Sequence, residues 1–180
     1  MTNEPSPVEP ASSTLIVDVV ELRRRPGTRR ELAATLVLPD LEAGDRSIVD
    51  GHLTVDAVVE SVMEGVVAAG TVSGVTRAPC RRCVDPVDEP FEAEFREIFE
   101  RYPTEGETWL LDDDRIDLTP MLRELALLSL PLAPLCRDDC EGPDPRRFPT
   151  GAFVELEPDE PAEPPRDDRW AALDALTFDD

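Results

Sequence analysis

Leu53-Thr54-Val55-Asp56-Ala57 and Phe91-Glu92-Ala93-Glu94-Phe95-Arg96 are the stretches that decide the fold. Apolar and polar side chains alternate in both, as a strand with one face on a core and one in water requires. Phe91, Ala93 and Phe95 share one face, and the charges take the other. Between them lies a more continuous apolar run, residues 66–75, with Gly65, Gly70 and Gly74 as candidate bulges or turns. Residues 48–99 therefore read as an antiparallel β-meander, open or partly closed.

Toward the N-terminus, residues 15–22 are rich in β-branched side chains and predict another strand. They run into a turn, residues 23–30, built on Pro26-Gly27 and carrying Arg23, Arg24, Arg25, Arg29 and Arg30. Residues 31–38 return as a strand or a short amphipathic piece that ends at Pro39. Toward the C-terminus an acidic loop, Asp112 to Asp114, precedes the strongest helix signal in the chain. Leu118 opens it, Thr119 is the expected N-cap, and Pro120 suits the first helical position. Leu122, Leu125, Leu127, Leu128 and Leu130 point to nearly every side, which predicts a buried or covered helix. Pro131 and Pro134 end it. The fold class expected is α+β: an antiparallel sheet packed by a leucine-rich helix, with disordered acidic tails.

The domain plan follows from composition. Residues 1–13 are polar and proline-punctuated and read as a tail, residues 14–150 as one domain, and residues 151–168 as an acidic, proline-rich linker. Residues 169–180 form a short amphipathic segment in which Trp170, Leu173 and Leu176 would share one side of a helix. The net charge of −22, with no lysine at all, disfavours bulk attraction to a phosphate backbone. No run approaches the ~20 apolar residues that span a bilayer. The first residues carry neither the basic start nor the apolar stretch of a secretory signal. The expected location is the cytoplasm, where thiols stay reduced.

The four cysteines fall in two short pairs, Cys80-Arg81-Arg82-Cys83 and Cys136-Arg137-Asp138-Asp139-Cys140. A cysteine pair on a tight turn can aim both sulfurs at one ion, and two such pairs can supply the four thiolates of a tetrahedral zinc site. Cys80, Cys83, Cys136 and Cys140 are thus candidate ligands for one zinc. The bland alternative is two unrelated pairs of reduced thiols. A thioredoxin-like role fits less well, because that motif starts a helix after a strand, whereas Pro86 and Pro90 point to a continuing loop. Arg23, Arg24, Arg25, Arg29 and Arg30 could contact RNA phosphates; against this, a solvated turn offsetting an acidic surface suits a chain of this charge. His52 is the sole histidine, and no nucleophile has an evident base and no glycine loop a phosphate-cradling pattern, so no active site is expected.

The order of features resembles the YceD family, the large ribosomal RNA subunit accumulation proteins of bacteria. The resemblance rests on Cys80, Arg82, Cys83 and Pro86, the phenylalanine-rich strand after them, the aspartates before the leucine helix, Cys136 to Gly142, and Asp168-Arg169-Trp170-Ala171-Ala172-Leu173. It spans about residues 15–176. Members commonly carry a further cysteine pair downstream; here Gly142 is followed by Pro143-Asp144-Pro145 and no more cysteines. The resemblance implies a cytoplasmic, non-enzymatic factor in ribosome biogenesis that supports accumulation of large-subunit ribosomal RNA. The acidity suggests a basic partner, a ribosomal protein or an assembly intermediate, before naked RNA. The rival reading is a thiol- or metal-responsive adaptor whose cysteine pairs switch partner binding.

Overall fold

The computed structural model describes residues 12–147. Nearly half of them lie in the strands of one mixed sheet. Its long members are β4 (Arg46–Ser61), β5 (Val66–Pro79) and β6 (Pro86–Glu100), each antiparallel to the next. In β4 the alternation is carried through: Leu53, Val55, Ala57 and Val59 are buried, while Thr54, Asp56 and Val58 face out. Residues 31–38 resolve as strand, because β2 (Arg29–Val37) pairs antiparallel with β4 from Arg29↔Glu60 to Val37↔His52.

The other end of the sheet departs from a meander. After β6 the chain loops back so that β7 (Trp109–Asp112) runs parallel to it, with Phe99 opposite Trp109. A tight turn with Asp113 at φ 51° joins β7 to β8 (Arg115–Asp117), and β1 (Ile16–Asp18) closes that edge through Val17↔Ile116. The order is β1-β8-β7-β6-β5-β4-β2, with the two-residue β3 (Glu42–Ala43) paired to β4 off that path. Among the described residues two helices complete the fold: α1 (Val20–Arg23) and α2 (Thr119–Leu128). Among the described residues, no helix is long and apolar enough to cross a membrane.

The core gathers Leu36, Leu53, Val59, Phe99, Ile116 and Leu122 from both ends of the sheet and from α2. That helix is less immersed than its leucines suggest. Met121, Leu122 and Ala126 are buried and Leu125 and Leu127 are partly so, but Leu128 is 76% exposed. The helix presents a single face to the core.

Four local expectations are corrected. Residues 15–22 are not one strand: the Asp18 carboxylate accepts the Val20 N–H at 3.0 Å, and the chain turns there into α1. Thr119 is not the N-cap. That place falls to Leu118, while Asp117 accepts the Thr119 N–H and the Thr119 hydroxyl accepts the Leu15 N–H, both at 2.9 Å. Gly70 and Gly74 hold regular register, and the irregularity lies instead in β4 between Ile48 and Leu53. There Asp50 and Gly51 adopt φ of 54° and 64°. Lastly Ser12, placed by sequence in the N-terminal tail, bridges to β2: its carbonyl accepts the Val37 N–H at 2.9 Å. The expected linker 151–168 and the segment with Trp170, Leu173 and Leu176 lie outside the described residues.

Candidate metal centre

Strands β5 and β6 pair without interruption down to Pro79↔Pro86, and the two prolines mark where the ladder stops. Residues 80–85 then form a knuckle. The Cys80 N–H donates to the Asp85 carbonyl at 2.8 Å, and the Val84 N–H donates to the Cys80 carbonyl at 3.0 Å. Val84 takes a φ of 67° to close the loop. The Arg82 N–H points at the Cys80 sulfur from 3.4 Å, the contact that favours a thiolate in a knuckle.

The second pair arrives from the far side of the fold. Pro131 stops the run after α2, and a chain without regular structure carries Pro134 and Cys136 to the hairpin tip. Two contacts fasten the knuckles together. The Arg81 N–H donates to the Pro134 carbonyl at 2.9 Å. The Arg82 guanidinium donates to the Cys140 carbonyl at 2.7 Å and the Asp138 carbonyl at 3.2 Å. The sequence brought Arg82 forward as part of the family motif, without showing which carbonyls it reaches.

All four cysteines are free thiols, and their sulfurs lie within 4.8 Å of one another. Cys80 and Cys140 stand 3.9 Å apart, Cys83 and Cys136 3.6 Å. A tetrahedral zinc with bonds of about 2.3 Å requires sulfurs roughly 3.8 Å apart. The donor set and its spacing fit one soft divalent ion. Cys80 and Cys140 are buried, Cys83 is half-buried, and Cys136 faces solvent.

The protonation pattern has the same origin. Backbone N–H groups of Cys83, then Cys136 and Arg82, draw the Cys80 thiol down from 9.0 to about 6. At Cys83 the Asp85 backbone pulls down as well, but desolvation and the neighbouring Cys80 and Cys136 sulfurs outweigh it and push the thiol up to about 12. Cys140 heads the causes that raise Cys136. Crowded sulfurs resist sharing a second negative charge unless a cation joins them.

The arginine turn is spread over several elements. Arg23, in α1, pairs with Asp114, Arg24 pairs with Glu21, and Arg29 pairs with Glu60 across the β2–β4 ladder. Arg30 donates to the Asp18 carbonyl at 2.8 Å. Four of the five are therefore engaged with the protein itself, and the turn lies apart from the cysteines. His52 is exposed on β4 and stands outside the cluster.

Residues 68–177, which include both knuckles, match the family described as large ribosomal RNA subunit accumulation protein YceD. The chain belongs to the YceD family. An uncharacterized protein of Mycobacterium tuberculosis is 35% identical to this YceD protein over 175 residues, covering 90% of this chain and 81% of its own. An uncharacterized Mycobacterium leprae protein is 31% identical over 142 residues, or 72% of this chain and 64% of its own. The Bacillus subtilis protein YlbN is 31% identical over 115 residues, or 61% and 65%. No solved structure matches the chain at a significant level. The family's description places this YceD protein with large-subunit ribosomal RNA accumulation, and it indicates no catalytic activity.

Proposed function

We propose that this protein supports accumulation of large-subunit ribosomal RNA by binding a basic ribosomal protein or an assembly intermediate in the cytoplasm, without catalysis. Family membership carries the reading. The net charge of −22 supports a basic partner, since such a surface attracts cations over a long range and repels phosphate. Arg23, Arg24, Arg29 and Arg30 each have a partner within the fold, with which an RNA phosphate would have to compete.

Cys80, Cys83, Cys136 and Cys140 are the ligands of one structural zinc on this reading. The ion would need four thiolates and no open position, so its contribution is to shape. The chain's own atoms already hold the two knuckles in register through Arg81, Arg82 and the Pro134 carbonyl. The zinc would then lock the hairpin tip to the segment that follows α2.

The test is depletion of the protein in its host, followed by measuring the ratio of large- to small-subunit ribosomal RNA. A fall in that ratio, restored by the intact gene, is expected. An unchanged ratio with normal large subunits overturns the reading.

A further inference from the structure

β6 is a long strand with a neighbour along only part of one side. β5 accompanies it from Pro86 to Phe99, but β7 begins at Trp109 and meets only Phe99 and Glu100. Among the described residues, no strand pairs with residues 86–98 of β6 on the side away from β5. An open row of backbone donors and acceptors is a template for one more strand.

A groove runs along that open side. It encloses roughly 450 Å³ between residues 94–97 of β6, the loop before β7, and α2. Its floor is apolar: Phe95 and Met121 are buried beneath it, Trp109 and Leu125 are half-buried, and the 76%-exposed Leu128 forms the far lip. The Trp109 indole donates to the Glu97 carboxylate at 2.9 Å, which fixes the ring as a wall. The rim is acidic. Glu94, Glu107 and Glu124 are exposed, and among the described residues none has an ion-pair partner. Arg96 is the only cation in the lining.

Each feature narrows the occupant. The open edge asks for an extended backbone, the floor for apolar side chains, and the rim for positive charge. A nucleic acid brings the wrong sign, as does a second copy of this chain at −22. The chain's own residues 151–180 are also strongly acidic. We propose that the groove between β6 and α2 is a strand-addition site for an extended, arginine- or lysine-rich segment of a partner protein whose alternate residues are apolar. This rests on the basic-partner reading above and assigns that partner a place on the molecule.

The test uses the full chain carrying Trp170→Phe, which leaves Trp109 as the sole reporter of the two tryptophans. The probe is a ten-residue peptide alternating arginine with leucine or valine; an all-lysine peptide of equal length is the charge control. The expected result is a saturable change in Trp109 emission with the alternating peptide and at least tenfold weaker binding of the all-lysine one. The E94K/E124K double variant should weaken the alternating peptide more than tenfold. A charge reversal of equal size on the β3 turn, E42K/D45K, should weaken it less than twofold. N-methylating alternate peptide nitrogens on the edge-facing side should also cost more than tenfold. Equal binding by E94K/E124K, by the N-methylated peptide, or by the all-lysine control overturns the groove assignment. If basic ribosomal proteins still bind the full chain in that case, the wider reading stands without this site. If neither they nor the peptides bind, both fall.

Discussion

Arg82 donates to two carbonyls of a segment more than fifty positions away, so its guanidinium, with the Arg81 N–H, holds the knuckles face to face. Arg82→Ala should lower zinc affinity by about tenfold or more, in the range typical of groups that orient metal ligands. Arg82→Lys should not restore it, because an ammonium cannot reproduce the planar fork. Competition with a chromogenic chelator measures both. Cys80 offers a second check. Its thiol titrates near 6 in the folded, metal-free chain, against 9.0 ordinarily. A depressed value means that the folded state holds the thiolate more readily than the unfolded chain. That stabilisation is fully present above pH 9 and is lost as pH falls through about 6. The thiolate ultraviolet absorbance of the metal-free protein should step near pH 6, and Cys80→Ser should remove the step. The cysteine spacing in the sequence brought the four residues forward as candidates. Which sulfur ionises first was not legible, because it depends on backbone N–H groups contributed by Cys83, Arg82 and the distant Cys136.

At the scale of elements, helix α2 shows why periodicity alone misjudged immersion. Leu122 is fully buried and Leu128 is 76% exposed, yet the sequence offers two leucines on one helix. Leu122→Ala should cost about 3 kcal/mol, the usual price of a core cavity. Leu128→Ala should change stability by less than about 0.5 kcal/mol. Urea unfolding separates them. The β4 irregularity was illegible for a related reason. Gly51 gives no local sign that its Cβ position would lie 2.1 Å from the Leu38 carbonyl oxygen on a neighbouring segment. Gly44 has a similar φ, 67° against 64°, but open space around it. Gly44→Ala should therefore cost about 1 kcal/mol, while Gly51→Ala adds a backbone collision and should cost about 3 kcal/mol or more. The alternation in residues 91–96 was legible as a strand with a charged face. That these charges rim a groove was not, since Trp109 and Glu124 reach it only through the parallel return of β7 and the packing of α2.

At the scale of the whole molecule, the cysteine centre and the core are separate. The core cluster runs from Val17 to Leu130 and contains none of the four cysteines. The centre sits at the tip of the β5–β6 hairpin, held to the rest by the ladder and by the segment after α2. A zinc-dependent fold in the manner of a small finger domain, unfolded without its ion, is thus not what this architecture implies. Removing the metal should release a local unit and spare the sheet. Hydrogen exchange should rise sharply in residues 76–88 and 131–147 of the chelated protein, while protection along β2, β4 and the paired half of β5 stays within about twofold. Far-ultraviolet circular dichroism should keep most of its strand signal. Global loss of protection on chelation would show instead that the hairpin tip nucleates the sheet. If no region changes, the thiols and the Arg82 brace hold the knuckles without an ion, and the assignment of a structural zinc fails.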